Sequence, residues 1–425
     1  MTDTVASVNA ADTAWMLVAT ALVLLMTPAL AFFYGGLVRA KNALNTMMMS
    51  VASLAVVGVL WALIGYSLAF GPADGFVGGA AYAVLRGVGL EARGSIPHVL
   101  FLAYQGTFAV ITAALISGAI VERMRFGAYL AFIGLWSVCV YAPIAHWVWG
   151  GGWLARLGAL DFAGGTVVHA NAGAAALVAA LVLGPRKDYG RQALLPHNVP
   201  FVLLGAALLW FGWFGFNAGS ALAANPQAAL AFANTMLAPM ATLAVWMALD
   251  LARTGRATAV GAATGIVVGL VAVTPAAGFV SPAGALVLGA LAALPSYVAL
   301  LWRSRTRLDD SLDVVAAHGL GGTVGALLTG VFAAAAWGGT DGLLAGNAAL
   351  VGKQAVAVLA TLGYSAAMTL LLLKLVDRVL PLRVGRREEA VGVDVHQHGE
   401  EAYSSGEGAI LVIAEPGAAP PSKEG

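Results

Sequence analysis

The sequence predicts an all-α polytopic membrane protein of eleven transmembrane helices, built as an inverted repeat of five plus five with a long eleventh helix. Three observations predict it. The 425 residues are 60% hydrophobic and only 10% charged, against roughly 25% charged residues in a typical soluble domain. A soluble fold of this size still needs a wettable exterior, and this composition cannot supply one. The apolar residues fall into runs of about 20, the length needed to cross roughly 30 Å of hydrocarbon. The charges, net +1, gather in short connections and give no sign of nucleic-acid binding.

The spans follow in order, near residues 14–36, 44–70, 97–121, 126–147, 163–184, 198–218, 229–252, 258–275, 279–302, 313–335 and 350–380. Before the first run stand Asp3 and Asp12 but no basic residue, a poor match to a secretory leader, so the first run is expected to stay as a membrane helix. The eighth and ninth spans are divided by Thr274-Pro275 and Ser281-Pro282, because proline ends or kinks a helix. Basic residues alternate with the spans. Arg39, Lys41, Arg123, Arg125, Arg186, Lys187, Arg191, Arg253, Arg256, Arg303, Arg305 and Arg307 fall on one side, and only Arg86, Arg93, Arg156 and Lys353 on the other. By the positive-inside rule the N-terminus is outside and the C-terminus cytoplasmic. Residues 1–382 form the membrane domain. Residues 383–425, with Arg-Arg-Glu-Glu and Gly-Ala-Ala-Pro-Pro, form a cytoplasmic tail expected to be at least partly disordered.

His169 lies in the fifth span and His318 in the tenth, each with a glycine four residues on, Gly173 and Gly322. Five spans is an odd number, so a second copy must be inverted, and inverted repeats place a substrate path where the halves meet. Ionisable side chains in hydrocarbon are costly and mark functional sites. The plain alternative is that each ring only hydrogen-bonds a neighbouring helix. No third ligand stands at metal-binding spacing on either helix, so no metal or other cofactor is expected. Cys139, the single cysteine, has no disulfide partner and reads as a buried, inert thiol.

Phe108, Trp149, Trp213 and Phe216 stand near predicted span ends. They read either as interfacial anchors or as a cation–π box, to which Ser220 would add a hydroxyl acceptor. Asp161, ahead of Phe-Ala-Gly-Gly-Thr, reads as a helix cap, as a charge that draws cations, or as both. No nucleophile and base stand at usable spacing, which argues against an enzyme.

Longer motifs carry a resemblance across nearly the whole chain. They are Phe33-Tyr-Gly-Gly-Leu-Val-Arg39, Gly118-Ala-Ile-Val-Glu-Arg123, Asp161-Phe-Ala-Gly-Gly-Thr-Val-Val-His169, Trp210-Phe-Gly-Trp213-Phe-Gly-Phe216-Asn-Ala-Gly-Ser220, Asp313-Val-Val-Ala-Ala-His318-Gly and Asp394-Val-His-Gln-His-Gly-Glu-Glu-Ala-Tyr403. Together they resemble the ammonium transporter (Amt/MEP/Rh) family, in its bacterial Amt branch.

The resemblance implies an outer ammonium recruitment site of Phe108, Trp149 and Ser220, with Asp161 beneath it in a mainly structural role. It implies a gate of two stacked rings, Phe108 and Phe216, and a lumen containing His169, His318 and the wall aromatic Trp213. It also implies ammonium and ammonia as substrate, a homotrimer with one pore per subunit in the inner (cytoplasmic) membrane, and a tail similar to the segment that docks a PII-type regulatory protein. Tyr104 departs from the phenylalanine of many relatives and adds a hydroxyl near the gate. Two rival readings remain, an ammonium sensor read by the tail and a CO2 channel like some Rh relatives.

Overall fold

Membrane helices close their own backbone hydrogen bonds, and here they take up most of the chain. The computed structural model describes residues 7–73 and 75–403. Its principal helices are α1 (Ala10–Leu37), α2 (Ala40–Phe70), α3 (His98–Ser117), α4 (Phe126–Leu157), α5 (Gly165–Leu183), α6 (Val199–Ala218), α7 (Pro226–Thr254), α8 (Ala259–Val273), α9 (Pro282–Arg303), α10 (Val315–Phe332) and α11 (Ala349–Asp377). Ten of these are long and apolar enough to cross a membrane, and α8 is a shorter apolar helix. The eleven predicted spans therefore match eleven helices. The expected break between the eighth and ninth lies between Val273 and Pro282, where the Ser281 hydroxyl accepts from Gly284 N at 3.0 Å and caps α9.

The two repeats meet along two helix pairs, α1 with α6 and α5 with α10. Along the first pair Gly205 faces Phe33, Gly212 faces Met26 and Gly215 faces Ala19. One number rises as the other falls, so the helices are antiparallel, as inversion requires. Glycine is used here for close approach, the usual device where lipid offers no hydrophobic gain from association.

The second pair shows why a glycine follows each histidine. A Cβ on Gly322 would lie 2.7 Å from Gly165 O, 2.8 Å from His169 Cβ and 2.9 Å from Ala170 N. A Cβ on Gly173 would run into the backbone of Gly319, beside His318. Each glycine thus vacates the space that the other repeat's histidine segment fills.

Both histidines also sit in π-helical turns, Gly165–Ala170 and Val315–Leu320. Such turns add a residue to the helical repeat and are common at functional sites. Two more, Trp61–Gly65 and Ser137–Tyr141, interrupt α2 and α4. Cys139 lies on the last of these and is half-buried rather than enclosed, because Val140 and Tyr141 take the inward positions.

Within the described residues the tail carries two short helices. Helices α12 (Arg386–Val391) and α13 (Val393–His398) lie against the start of α2. Asp394 accepts from Leu44 N at 3.0 Å and Asn45 N at 2.7 Å. Asp3 and the Gly417–Pro421 stretch lie outside the described residues.

Gly322→Ala should cost about 1–3 kcal/mol, the usual range for overpacking a tight core. Thermal unfolding of the purified protein checks this, and an unchanged melting temperature would contradict the close crossing.

Candidate functional site

The bundle has one end rich in charges and one that carries Trp149 and Ser220, and the candidate residues form a column between them. At the aromatic end the Trp149 indole stands edge-on to Phe108, with ring centroids 5.9 Å apart at 89°. Its Nε1 donates to Asp161 O at 2.9 Å, which fixes the indole. Ser220 Oγ donates to Phe216 O at 2.9 Å, so the oxygen's lone pairs remain for another donor. Phe108 and Phe216 are stacked, with centroids 4.2 Å apart and planes 23° off parallel, and both are essentially inaccessible to solvent. Phe108 lies in the middle of α3 rather than near its end. Phe108 and Trp213 face the interior and do not form an interfacial belt.

Below the phenyl pair the polar groups begin. His169 stacks on Trp213 at 5.3 Å and lies 5.9 Å from the Phe216 ring. Trp213 is held by its Nε1, which donates to Thr274 Oγ1 at 2.9 Å. The two histidines meet nitrogen to nitrogen, with Nδ1 to Nδ1 at 3.2 Å. A single proton fits between two such nitrogens. One neutral ring must therefore be the Nδ1–H tautomer, with Nε2 a free acceptor. The other must be the Nε2–H tautomer, a donor. The pair offers one donor and one acceptor, and His169 Nε2 has no protein partner although it is buried. From the charged end a cavity of about 470 Å³ rises to His318, lined also by Phe33, Tyr34 and Asp313.

Each histidine turn is anchored by an aspartate eight residues upstream. Asp161 accepts from Gly164 N at 2.8 Å, Gly165 N at 2.6 Å, Thr166 N at 2.8 Å and Val167 N at 3.1 Å, and also from the Thr166 hydroxyl. Asp310 accepts from Val314 N at 3.1 Å and Val315 N at 2.7 Å. Free N–H groups at a helix start attract a carboxylate by hydrogen bonding and by the helix dipole. Both oxygens of each aspartate are occupied in this way, so in this arrangement they act as caps. Sequence reading found Asp161 and missed Asp310. The signal was present, since both aspartates precede their histidines by eight residues.

The charged end holds a second feature that sequence reading did not single out, a buried ion-pair chain. Arg186 joins Glu122 at 2.8 Å to Asp309 at 2.8 Å, and Arg39 pairs with Glu122 at 3.1 Å. Asn42 Nδ2 donates to Glu122 Oε1 at 2.8 Å, while Asn42 Oδ1 accepts from Val393 N of the tail at 3.0 Å. Burial alone would raise the Glu122 carboxyl, but Arg186, Arg39 and Asn42 favour its ionised form more strongly and bring it down to about 2. Glu122 holds a left-handed backbone, φ 69°, a conformation that a non-glycine residue keeps only when its surroundings enforce it.

A polytopic bundle with an inverted repeat, an aromatic lid and a polar pair inside an apolar path defines a membrane transport protein. The chain belongs to the ammonium transporter family. It matches the Ammonium Transporter Family over residues 14–403. It is 52% identical over 404 residues to an ammonium transporter of Aquifex aeolicus, covering 94% of this chain and 95% of that one. To the ammonium transporter of Bacillus subtilis it is 48% identical over 398 residues, covering 92% and 98%. Among solved structures it is similar to Mep2 of Candida albicans, with a TM-score of 0.86, 38% identity, and 93% and 90% of the two chains covered. It is also similar to a structure titled Sensor Amt Protein, with a TM-score of 0.86, 29% identity, and 91% and 98% covered. The protein is therefore a multi-pass membrane protein of ammonium transport and not an enzyme.

The ion-pair chain makes a pH prediction. A carboxyl held below its ordinary value contributes stability above that value, about 4.5, and loses it as pH falls toward 2. Glu122→Gln should lose about 3–5 kcal/mol at neutral pH, as when one partner of a buried pair is removed. The gap between wild type and variant should shrink below pH 4.5. A gap constant with pH, read by thermal unfolding, would contradict the assignment.

Proposed function

We propose that NH4+ is taken up at the aromatic end, held by the faces of Phe108 and Trp149 and by the Ser220 hydroxyl, and stripped there of one proton, which is released to water at the outer mouth or carried separately along the His169–His318 pair. Neutral NH3 then passes the Phe108–Phe216 gate and crosses the His169–His318 lumen, walled by Trp213. Transferring a bare monovalent ion into low dielectric costs tens of kcal/mol by Born estimates. A desolvated cation–π contact returns about 2 kcal/mol. The aromatic end can therefore bind the ion but cannot carry it through the gate. The observation that carries the reading is the Nδ1–Nδ1 contact directly below a stacked phenyl pair. Its one donor and one acceptor suit a neutral molecule that both accepts and donates. Potassium has no proton to shed and is excluded.

In this reading the aromatic end faces outward across the inner (cytoplasmic) membrane, with the N-terminus outside and the C-terminus in the cytoplasm. The twelve-to-four distribution of basic residues supports it. Residues 1–382 are the transport domain and residues 383–425 a cytoplasmic regulatory tail. The functional unit is a homotrimer with one pore per subunit, and the tail and charged end receive a PII-type protein.

Purified protein in liposomes, pulsed with ammonium and then potassium on a solid-supported membrane, tests the proposal. Wild type should respond to ammonium alone, by current or by alkalinisation of the lumen, and His169→Ala should lose most of the response. A large potassium current would refute conduction as NH3. Ammonium binding without current or alkalinisation would favour a sensor instead.

A further inference from the structure

The Tyr104 hydroxyl is a buried polar group beside the proposed recruitment site that this functional reading does not use. The side chain is completely buried, with its ring 4.9 Å from Phe108 in an edge-on contact. Its hydroxyl lies 2.9 Å from Gly215 O, 2.9 Å from Phe216 O and 3.3 Å from Ser220 Oγ. Two of these oxygens belong to the last turn of α6 and the third to the 3-10 turn Gly219–Ala221 that follows it, where carbonyls run out of helical partners.

A phenol has one proton to give. The two carbonyls are nearer than the serine and are the stronger acceptors, so the proton goes to the main chain. Ser220 already gives its own proton to Phe216 O. Both hydroxyls therefore turn their protons inward, toward the end of α6, and leave their oxygens side by side. Phe216 O, the carbonyl of the gate ring's own residue, accepts from both.

We propose that Tyr104 is a positioning residue for ammonium recruitment. Its phenolic hydroxyl holds the end of α6 and keeps the Ser220 lone pairs directed at the incoming cation, thereby setting affinity. The proposal rests on the reading of Ser220 as an acceptor for NH4+. Tyr104 acts through Ser220 and Phe216, because its hydroxyl is turned to the Gly215 and Phe216 carbonyls and lies beside Ser220 Oγ. By bonding the Gly215 and Phe216 carbonyls, the hydroxyl ties the end of α6 to α3 and fixes the carbonyl to which Ser220 donates. Its loss should weaken binding while the gate rings themselves stay in place.

The test is ammonium-evoked transport in proteoliposomes, titrated with ammonium chloride, for wild type, Tyr104→Phe, Ser220→Ala and the double variant. Tyr104→Phe should raise KM by about three- to tenfold, the scale of one hydrogen bond, with the change in KM rather than in the maximal rate. In the Ser220→Ala background the same substitution should change KM by less than about twofold, because the group it acts through is gone. An unchanged KM in Tyr104→Phe, with KM raised in Ser220→Ala, overturns the positioning role and leaves the recruitment site standing. An equal rise in both backgrounds also overturns it, since Tyr104 would then act elsewhere. A fall in maximal rate alone would show a purely structural role and overturn it too. If Ser220→Ala itself leaves KM unchanged, the recruitment reading fails and this inference fails with it.

Discussion

A histidine ring in an apolar wall must find a polar partner, and here each finds the other. The 3.2 Å contact between His169 Nδ1 and His318 Nδ1 is the constraint around which the rest is arranged. To bring the rings together, α5 and α10 must cross almost backbone to backbone, which Gly173 and Gly322 permit. To point both rings inward, each helix shifts its register through a π-turn. To hold those turns, an aspartate eight residues upstream takes up the free N–H groups. Every element occurs twice because the fold is an inverted repeat. The path therefore has the same construction from either end, while only one end carries the aromatic box.

The division of charge follows the same logic. Most of the basic residues are collected at one end, where Glu122, Arg186 and Asp309 satisfy one another out of water. Asp309 precedes Asp310, the cap of the His318 turn, and Asn42 joins Glu122 to the tail backbone. The charged end of the bundle and the tail are thus parts of one hydrogen-bonded body. The Phe108–Phe216 and His169–His318 contacts are made by rings that carry no fixed charge, so a cation would cross them without compensation.

Much of this was legible in the sequence. The lengths of the apolar runs gave helix bounds to within a few residues, since hydrocarbon thickness fixes them. Two prolines divided α8 from α9. The motif residues Phe108, Trp149, Asp161, His169, Trp213, Phe216, Ser220 and His318 do converge on one column. Other features were not legible. A π-turn leaves no mark on hydropathy, so the local shift that aims His169 could not be read. The short helices at residues 386–398 were not legible because their contacts are long-range, as where Asp394 accepts from Leu44 N, 350 residues earlier in the chain. Asp310 was overlooked for a different reason. Asp313 belonged to the motif that pointed to the family, and the equal eight-residue spacing drew no notice.

The central claim is that the two lumen histidines share one proton and present one donor and one acceptor. Solid-state NMR of ¹⁵N-histidine-labelled protein in bilayers reads ring tautomers directly, with His169→Ala and His318→Ala used to assign the signals. The account predicts one Nδ1–H ring and one Nε2–H ring at neutral pH. Two rings in the same tautomer, or no Nδ1–Nδ1 coupling, would contradict it.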